Sequence, residues 1–301
     1  MTRKTLSGTR WEIARGSAWY PPSFENLSHA PDKLYLIGEP ASLVEGLAVI
    51  GARRATPYGR SCAHRFAYLA AQQGIVIVSG GALGCDSAAH HAALEAGGRT
   101  VVFLGGGCDR LYPSANASLF QRIIDTGGAI VSEHSWECEP KPYAFRLRNR
   151  LIAALSKAVL IVEAGLPSGT FSTADEALSL GKEVLVVPGA ITSRSSQGSN
   201  RLLFQGATPV VDDETFGDVL ARLYGTLCSA AVVEATVVRD EAEAQLLEAI
   251  RAQPIDVESL YAVAASHAPQ SDARGWMMEK LAEFEATGLV ARYLDGRWGP
   301  P

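Results

Sequence analysis

The chain has 301 residues, 27 Lys+Arg against 32 Asp+Glu, a formal net charge of -5 and 47% apolar residues, which excludes a disordered segment. No apolar run approaches the ~20 residues of a bilayer span, and the opening MTRKTLSGTRWEIARG lacks the apolar stretch of a secretory signal, so the cytoplasm is the expected compartment. Five cysteines (Cys62, Cys85, Cys108, Cys138 and Cys228) form no CxxC pair and leave one over, against both a disulfide scaffold and a zinc ribbon.

Short apolar runs alternate with segments of helical periodicity. The runs are LAVI (47–50), IVIV (75–78), TVVFL (100–104), AIV (129–131), AVLIV (158–162), EVLVV (183–187) and TPVV (208–211). The helical segments are 59–73, 86–96, 115–126, 145–155, 170–180, 199–205 and 215–224. Runs apolar on both faces read as buried parallel strands, so the pattern predicts an α/β fold with a doubly wound, mainly parallel sheet. Residues 225–240 show neither period and read as a linker. Beyond it, 241–301 reads as three helices and a hairpin around Asp295-Gly296, a winged helix, with Pro254 and Asp256 marking a helix start. Residues 234–301 carry 12 acidic and 6 basic side chains, whereas 1–233 carry 20 and 21. A wing that reads DNA is basic. This one is acidic, so it is expected to dock a protein or cover a face of the body.

Ligands of doubly wound sheets sit at the carboxyl ends of the strands. Gly51-Ala-Arg-Arg follows the first run; Gly51 permits close backbone approach, and Arg53 offers a charged fork to phosphate or is simply solvated. In Ser79-Gly-Gly-Ala-Leu-Gly-Cys-Asp86 the glycines permit tight turns, while Asp86 reads as a helix N-cap. His90 is expected inside the domain. Ser168-Gly-Thr-Phe-Ser-Thr173 opens a helix and is either a phosphate cradle or ordinary capping. Residues 141–157 hold five basic and no acidic side chains, with Phe145 between them. That combination suits a single-stranded nucleic acid site or a plain amphipathic helix. No catalytic motif appears; the adjacent Asp175 and Glu176 point about 100° apart on a helix and make no facing pair. Metal ligation is not expected.

These segments together resemble the DNA-processing protein A family (DprA, also called Smf). The pattern stands here as VIGARRATPYG, IVSGGALGCDSAAHHAAL, VVFLGGGCDRLYP, GGAIVSEH, FRLRNRLIAALSKAVLIVEAGLPSGTFSTADEAL, GKEVLVVPGAI and QGSNRLLFQGA. The resemblance implies an extended Rossmann-like DNA-binding domain over 45–224, an N-terminal extension (1–44) leading into its sheet, and a winged-helix domain over 241–301. It implies a homodimer, without a cofactor and not an enzyme, that binds single-stranded DNA and loads the RecA recombinase in natural transformation. On matching positions, Gly51, Arg53, Ser79, Gly80 and Gly81 would line a DNA-phosphate pocket. Phe145, Arg148, Asn149 and Arg150 would hold the strand, and Ser168, Gly169, Thr170 and Thr173 would complete the cradle. Ala52 stands where a small polar residue is usual, and Cys85 stands before Asp86 where Ile is usual. Residues 1–44 are too few for the helical module that many relatives carry ahead of the sheet. Two further readings stay open. One is a nucleotide hydrolase of phosphoribohydrolase type, suggested by a weaker resemblance around Gly169-Thr170 and Glu176. The other is a nucleotide-sensing scaffold.

Overall fold

In the computed structural model the apolar runs hydrogen-bond into one nine-stranded sheet; the structure describes residues 5–225, 241–252, 254–267, 272–286, 289–293 and 296–299. By backbone contacts the chain divides into two units, Met1–Cys228 and Ser229–Pro301.

The first unit carries β1 (Arg10–Ala14), β2 (Lys33–Gly38), β3 (Gly46–Ile50), α1 (Pro57–Gln72), β4 (Ile77–Ser79), α2 (Cys85–Glu95) and β5 (Thr100–Phe103). It continues with α3 (Ala117–Asp125), β6 (Ala129–Ser132), α4 (Pro142–Ala154), β7 (Ser156–Ile161), α5 (Thr170–Ser179), β8 (Glu183–Val186), α6 (Gln197–Phe204), β9 (Thr208–Pro209) and α7 (Asp213–Tyr224). The strand order is β1-β2-β6-β5-β4-β3-β7-β8-β9. From β6 to β9 every pairing is parallel; β1–β2 and β2–β6 are antiparallel. The N-terminal extension thus contributes two strands of its own, and β1, with mostly exposed side chains, forms one edge. β9, two residues ending in Pro209, forms the other.

Alternation along the strands explains the layering. Leu47, Val49, Ile77, Leu160 and Leu185 face a core closed by α1, α2 and α7. Ala48, Val78, Phe103, Val159 and Val186 face the opposite core, closed largely by α4 and α5. Both faces of β3 are covered, and all five of its residues are buried. Helix starts follow local chemistry. Thr56 caps α1, its Oγ1 accepting the Gly59 N–H at 3.1 Å, with Pro57 in the first turn. Pro142 likewise starts α4 three residues before the helical periodicity begins.

His90 is fully buried on α2. Its Nδ1 lies 2.7 Å from Thr100 Oγ1, which donates its own proton to the Ile77 carbonyl at 2.7 Å. Nδ1 therefore carries the imidazole proton, and Nε2 has no partner. Burial first, then His91 and Arg148, lower its pKa to about 3. The unfolded chain takes up this proton near pH ~6.5 and the native one only near 3, so the unfolded state binds more protons between the two values. This group's contribution to stability is therefore lost as pH falls through that window, with a slope approaching about 1.4 kcal/mol per pH unit. Denaturant unfolding of wild type and His90→Leu between about pH 4 and 7 is expected to show a shallower slope in the variant. Equal slopes would rule the assignment out.

The second unit holds α8 (Glu241–Ala252), α9 (Val257–His267), α10 (Ala273–Ala286) and an antiparallel pair, β10 (Ala291–Arg292) with β11 (Trp298–Gly299). Asp256 Oδ1 accepts the Ser259 N–H at 2.9 Å and caps α9. Leu246, Leu260, Met277, Phe284 and Trp298 form its core. This is the three-helix-and-hairpin pattern of a small winged helix. The linker reading falls outside the described residues apart from Gly225, as does Asp295 of the hairpin turn.

Candidate nucleic-acid interface

From β3 the chain passes to α1 on one face of the sheet; from β7, its neighbour, it passes to α5 on the other. This is the switch point of a doubly wound sheet, where a crevice opens between diverging loops. A pocket of about 520 Å³ lies there. Gly51, Ala52 and Arg53 line it from the β3–α1 loop, Ala82 from the β4–α2 connection, Asp86 from the first turn of α2, and Tyr112 from the β5–α3 loop. Helix α4 supplies Phe145, Arg146, Arg148 and Asn149; the β7–α5 loop and α5 supply Ser168, Gly169, Thr170 and Thr173.

Phe145 is the centre of a small aromatic–cationic group. The Arg53 guanidinium carbon lies 5.3 Å from its ring centroid, and the Tyr112 ring lies 5.2 Å away, tilted by 51°. A Cβ on Gly105 would stand 2.7 Å from Phe145 Cδ1, so the glycine lets the ring rest on the backbone of the β5–α3 loop. Arg53, Arg146 and Tyr112 are exposed. The outcome is a half-buried ring face with the exposed Arg53 cation over it, in a pocket that the exposed Arg146 also lines.

Arg148 sits deeper and is buried. Its Nη1 donates to the carbonyls of Gly80 (2.9 Å) and Phe103, and its buried Nε has no partner. Burial lowers its pKa to about 10, against the pull of Asp86. Asp86 is not the N-cap that its position suggests. It is the second residue of α2, and its Oδ2 accepts the N–H groups of Gly80 (3.2 Å) and Ala82 (3.3 Å), folding the preceding loop back on the helix. Burial raises its pKa, with Arg148 opposing.

Helix α5 opens onto the pocket with Gly169 as an N-cap that offers no side-chain acceptor. Ser168 Oγ accepts the Thr170 N–H at 3.2 Å, and Asn149 Nδ2 donates to Ser172 Oγ at 2.9 Å. The remaining first-turn N–H groups and the helix dipole favour an anion.

Four of the expected site residues lie elsewhere. Ser79 is fully buried and donates to the Val49 carbonyl at 2.7 Å, joining β4 to β3. Gly80 meets the pocket only through Arg148 and Asp86, and the Gly81 carbonyl accepts Asn116 Nδ2 at 2.9 Å. Arg150 turns away: Glu133, the His29 carbonyl and the Leu147 carbonyl engage all three guanidinium nitrogens. Gly51 lines the pocket, but its lack of a side chain also serves packing, since a Cβ there would stand 2.6 Å from Cys85 Sγ. Tyr112 and Arg146 also belong to the pocket: Arg146 is legible in sequence as part of the basic run, whereas Tyr112 carries no local signal. No cluster of three or more metal-ligating side chains occurs among the described residues, and none of their helices is long and apolar enough to cross a membrane.

Fold and site define a Rossmann-like protein with a cationic, aromatic pocket at its switch point. The chain belongs to the DNA recombination-mediator protein A family, whose model matches residues 12–222. A DNA processing protein DprA of Mycobacterium tuberculosis is 38% identical over 279 residues, 90% of this chain and 69% of that one. The X-ray structure of DprA from Streptococcus pneumoniae superposes with a TM-score of 0.64 at 33% identity, covering 70% of this chain and 74% of that one. A Helicobacter pylori DNA processing protein A structure, described for its single-stranded DNA binding mode, gives 0.65 at 34%, covering 71% and 97%.

Proposed function

We propose that this recombination-mediator family member binds single-stranded DNA in the switch-point pocket and hands the strand to the RecA recombinase, as a homodimer in the cytoplasm, during natural transformation or other DNA processing. The observation that carries the reading is the Phe145 ring flanked by Arg53 and Tyr112. Stacked faces and nearby cations are what an unpaired strand offers a use for, whereas a duplex keeps its base faces inside. In this reading the α5 N-terminus with Ser168 and Thr170 takes a phosphate, and Asn149 and Arg148 shape the floor. Residues 45–224 are the DNA-binding domain, and the acidic winged helix over 241–301 docks a protein.

Binding without turnover fits the pocket better than hydrolysis. Asp175 and Glu176 are not among its described lining residues, and its one carboxylate, Asp86, is engaged with the backbone N–H groups of Gly80 and Ala82.

The test is fluorescence anisotropy with a labelled strand of about 20–30 nucleotides and the matching duplex, across a salt series. The strand is expected to bind well ahead of the duplex, with log K falling by about 0.7 per phosphate contact for each tenfold rise in salt. Equal affinity for strand and duplex would sink the stacking reading.

A further inference from the structure

Helix α4 lines the pocket on one side and faces solvent on the other, and the solvent side carries a second ring. Tyr143 is 62% exposed, and Leu147, one turn on along the same face, is 41% exposed. Six of the first unit's seven tyrosines hold a hydrogen bond or a ring contact. Tyr143 holds neither among the described residues. A ring left in water in this way has apolar area to bury against a ligand.

The cations beside it are unpaired as well. Eight Lys and Arg side chains of the first unit hold a carboxylate. Lys141 and Arg146 are exposed, and among the described residues they hold neither a carboxylate nor a hydrogen bond. Glu139, the nearest carboxylate along the chain, is held by Arg110 at 3.0 Å.

Helix geometry joins this face to the pocket. Successive residues turn by about 100° about the axis, so Phe145 and Tyr143 point about 160° apart by the shorter way round. Pro142 and Arg146 stand on the arc between them; both are exposed, and both line the pocket. The opposite arc is closed, with Ala144, Arg148 and Leu151 buried in it. An open path bearing a free cation thus leads from the Phe145 ring, over the start of α4, to Tyr143.

We propose that the strand held at Phe145 crosses the start of α4 and lays a second base on Tyr143, with Arg146 taking a phosphate between them. The inference rests on the single-strand reading above. Rings on opposite sides of a helix stand about 10–12 Å apart. That is too far for neighbouring bases stacked ~3.4 Å apart, so the two bases are not adjacent on the strand. A ring accepts any base face, so this platform recognises an unpaired strand and not a sequence.

The experiment uses strands of about 20–25 nucleotides that carry two thymines in an otherwise abasic backbone, separated by none, one or more abasic positions. Anisotropy reads their affinity for wild type, Tyr143→Ala and Tyr143→Phe. Wild type is expected to favour one wider spacing about tenfold over adjacent thymines, the low end of a base–aromatic stack. Tyr143→Ala is expected to bind all spacings alike, and Tyr143→Phe to keep the preference because the ring is retained. Because the readout is a profile across strands, a general loss of affinity cancels. A flat wild-type profile, or a preference that survives in Tyr143→Ala, overturns the second platform while leaving Phe145 in place. Failure of wild type to bind an all-thymine strand overturns the single-strand reading and this inference with it. Loss of self-association in Tyr143→Ala, read by sedimentation, overturns the strand as occupant of this face and makes it a contact between copies.

Discussion

Phe145→Ala is expected to weaken single-strand binding roughly tenfold to a hundredfold, since stacking on an aromatic side chain contributes about 1–3 kcal/mol per base. The salt slope should stay that of wild type, because the ring neutralises no phosphate. Arg53→Ala should also weaken binding, but with the slope reduced by about 0.7, the loss of one phosphate contact on a single strand. The two side chains touch at 5.3 Å, so the double variant should fall short of the sum of the single effects. Anisotropy titrations at several salt concentrations separate the charge effect from the stacking effect. Wild-type affinity in Phe145→Ala would remove the ring from the site.

Arg150→Ala should be the most destabilising of the substitutions considered. Its side chain and that of Glu133 are 8% and 11% exposed, joined by two parallel hydrogen bonds of 2.8 and 2.6 Å. With two further bonds to the His29 carbonyl and one to Leu147, all five guanidinium donors are used, and none is left to take a phosphate. Removing one partner of a buried pair leaves an uncompensated charge and costs about 3–5 kcal/mol. In a unit of this size that is a fall of roughly 10 °C in Tm, read by calorimetry or thermal circular dichroism. A change below about 1 kcal/mol would show that the pair is worth no more than a surface one.

The contrast between Arg148 and Arg150 marks how far the sequence could be read. Both sit in one basic stretch, two positions apart, and composition gives them the same role. Which carbonyl or carboxylate each meets depends on Gly80 and Phe103 in one case and on Glu133 and His29 in the other. Those partners are brought up by the sheet and lie outside any local window. Tyr112 is hidden for the same reason: it is 33 residues from Phe145, in a loop without periodicity, and only the switch-point geometry joins them. Asp86 sits two residues past Gly84 and was legible as a helix-start acceptor, but its acceptance of Gly80 and Ala82 is a property of the folded loop. The seven parallel strands were legible because burial on both faces leaves continuous apolar runs. β1 was not, because its sequence, Arg-Trp-Glu-Ile-Ala, is that of an exposed edge.

That edge and its counterpart have a consequence for crowding. β1 presents Arg10 and Glu12, engaged by Asp109 and Lys33, and β9 is two residues long and ends at a proline without an N–H. Neither margin offers a clean ladder to another chain. If copies of the chain bind side by side on one strand, as the proposed function implies, the two blunted margins keep them from zipping into a continuous fibre. Contacts between such copies would then be made by side chains rather than by a shared sheet.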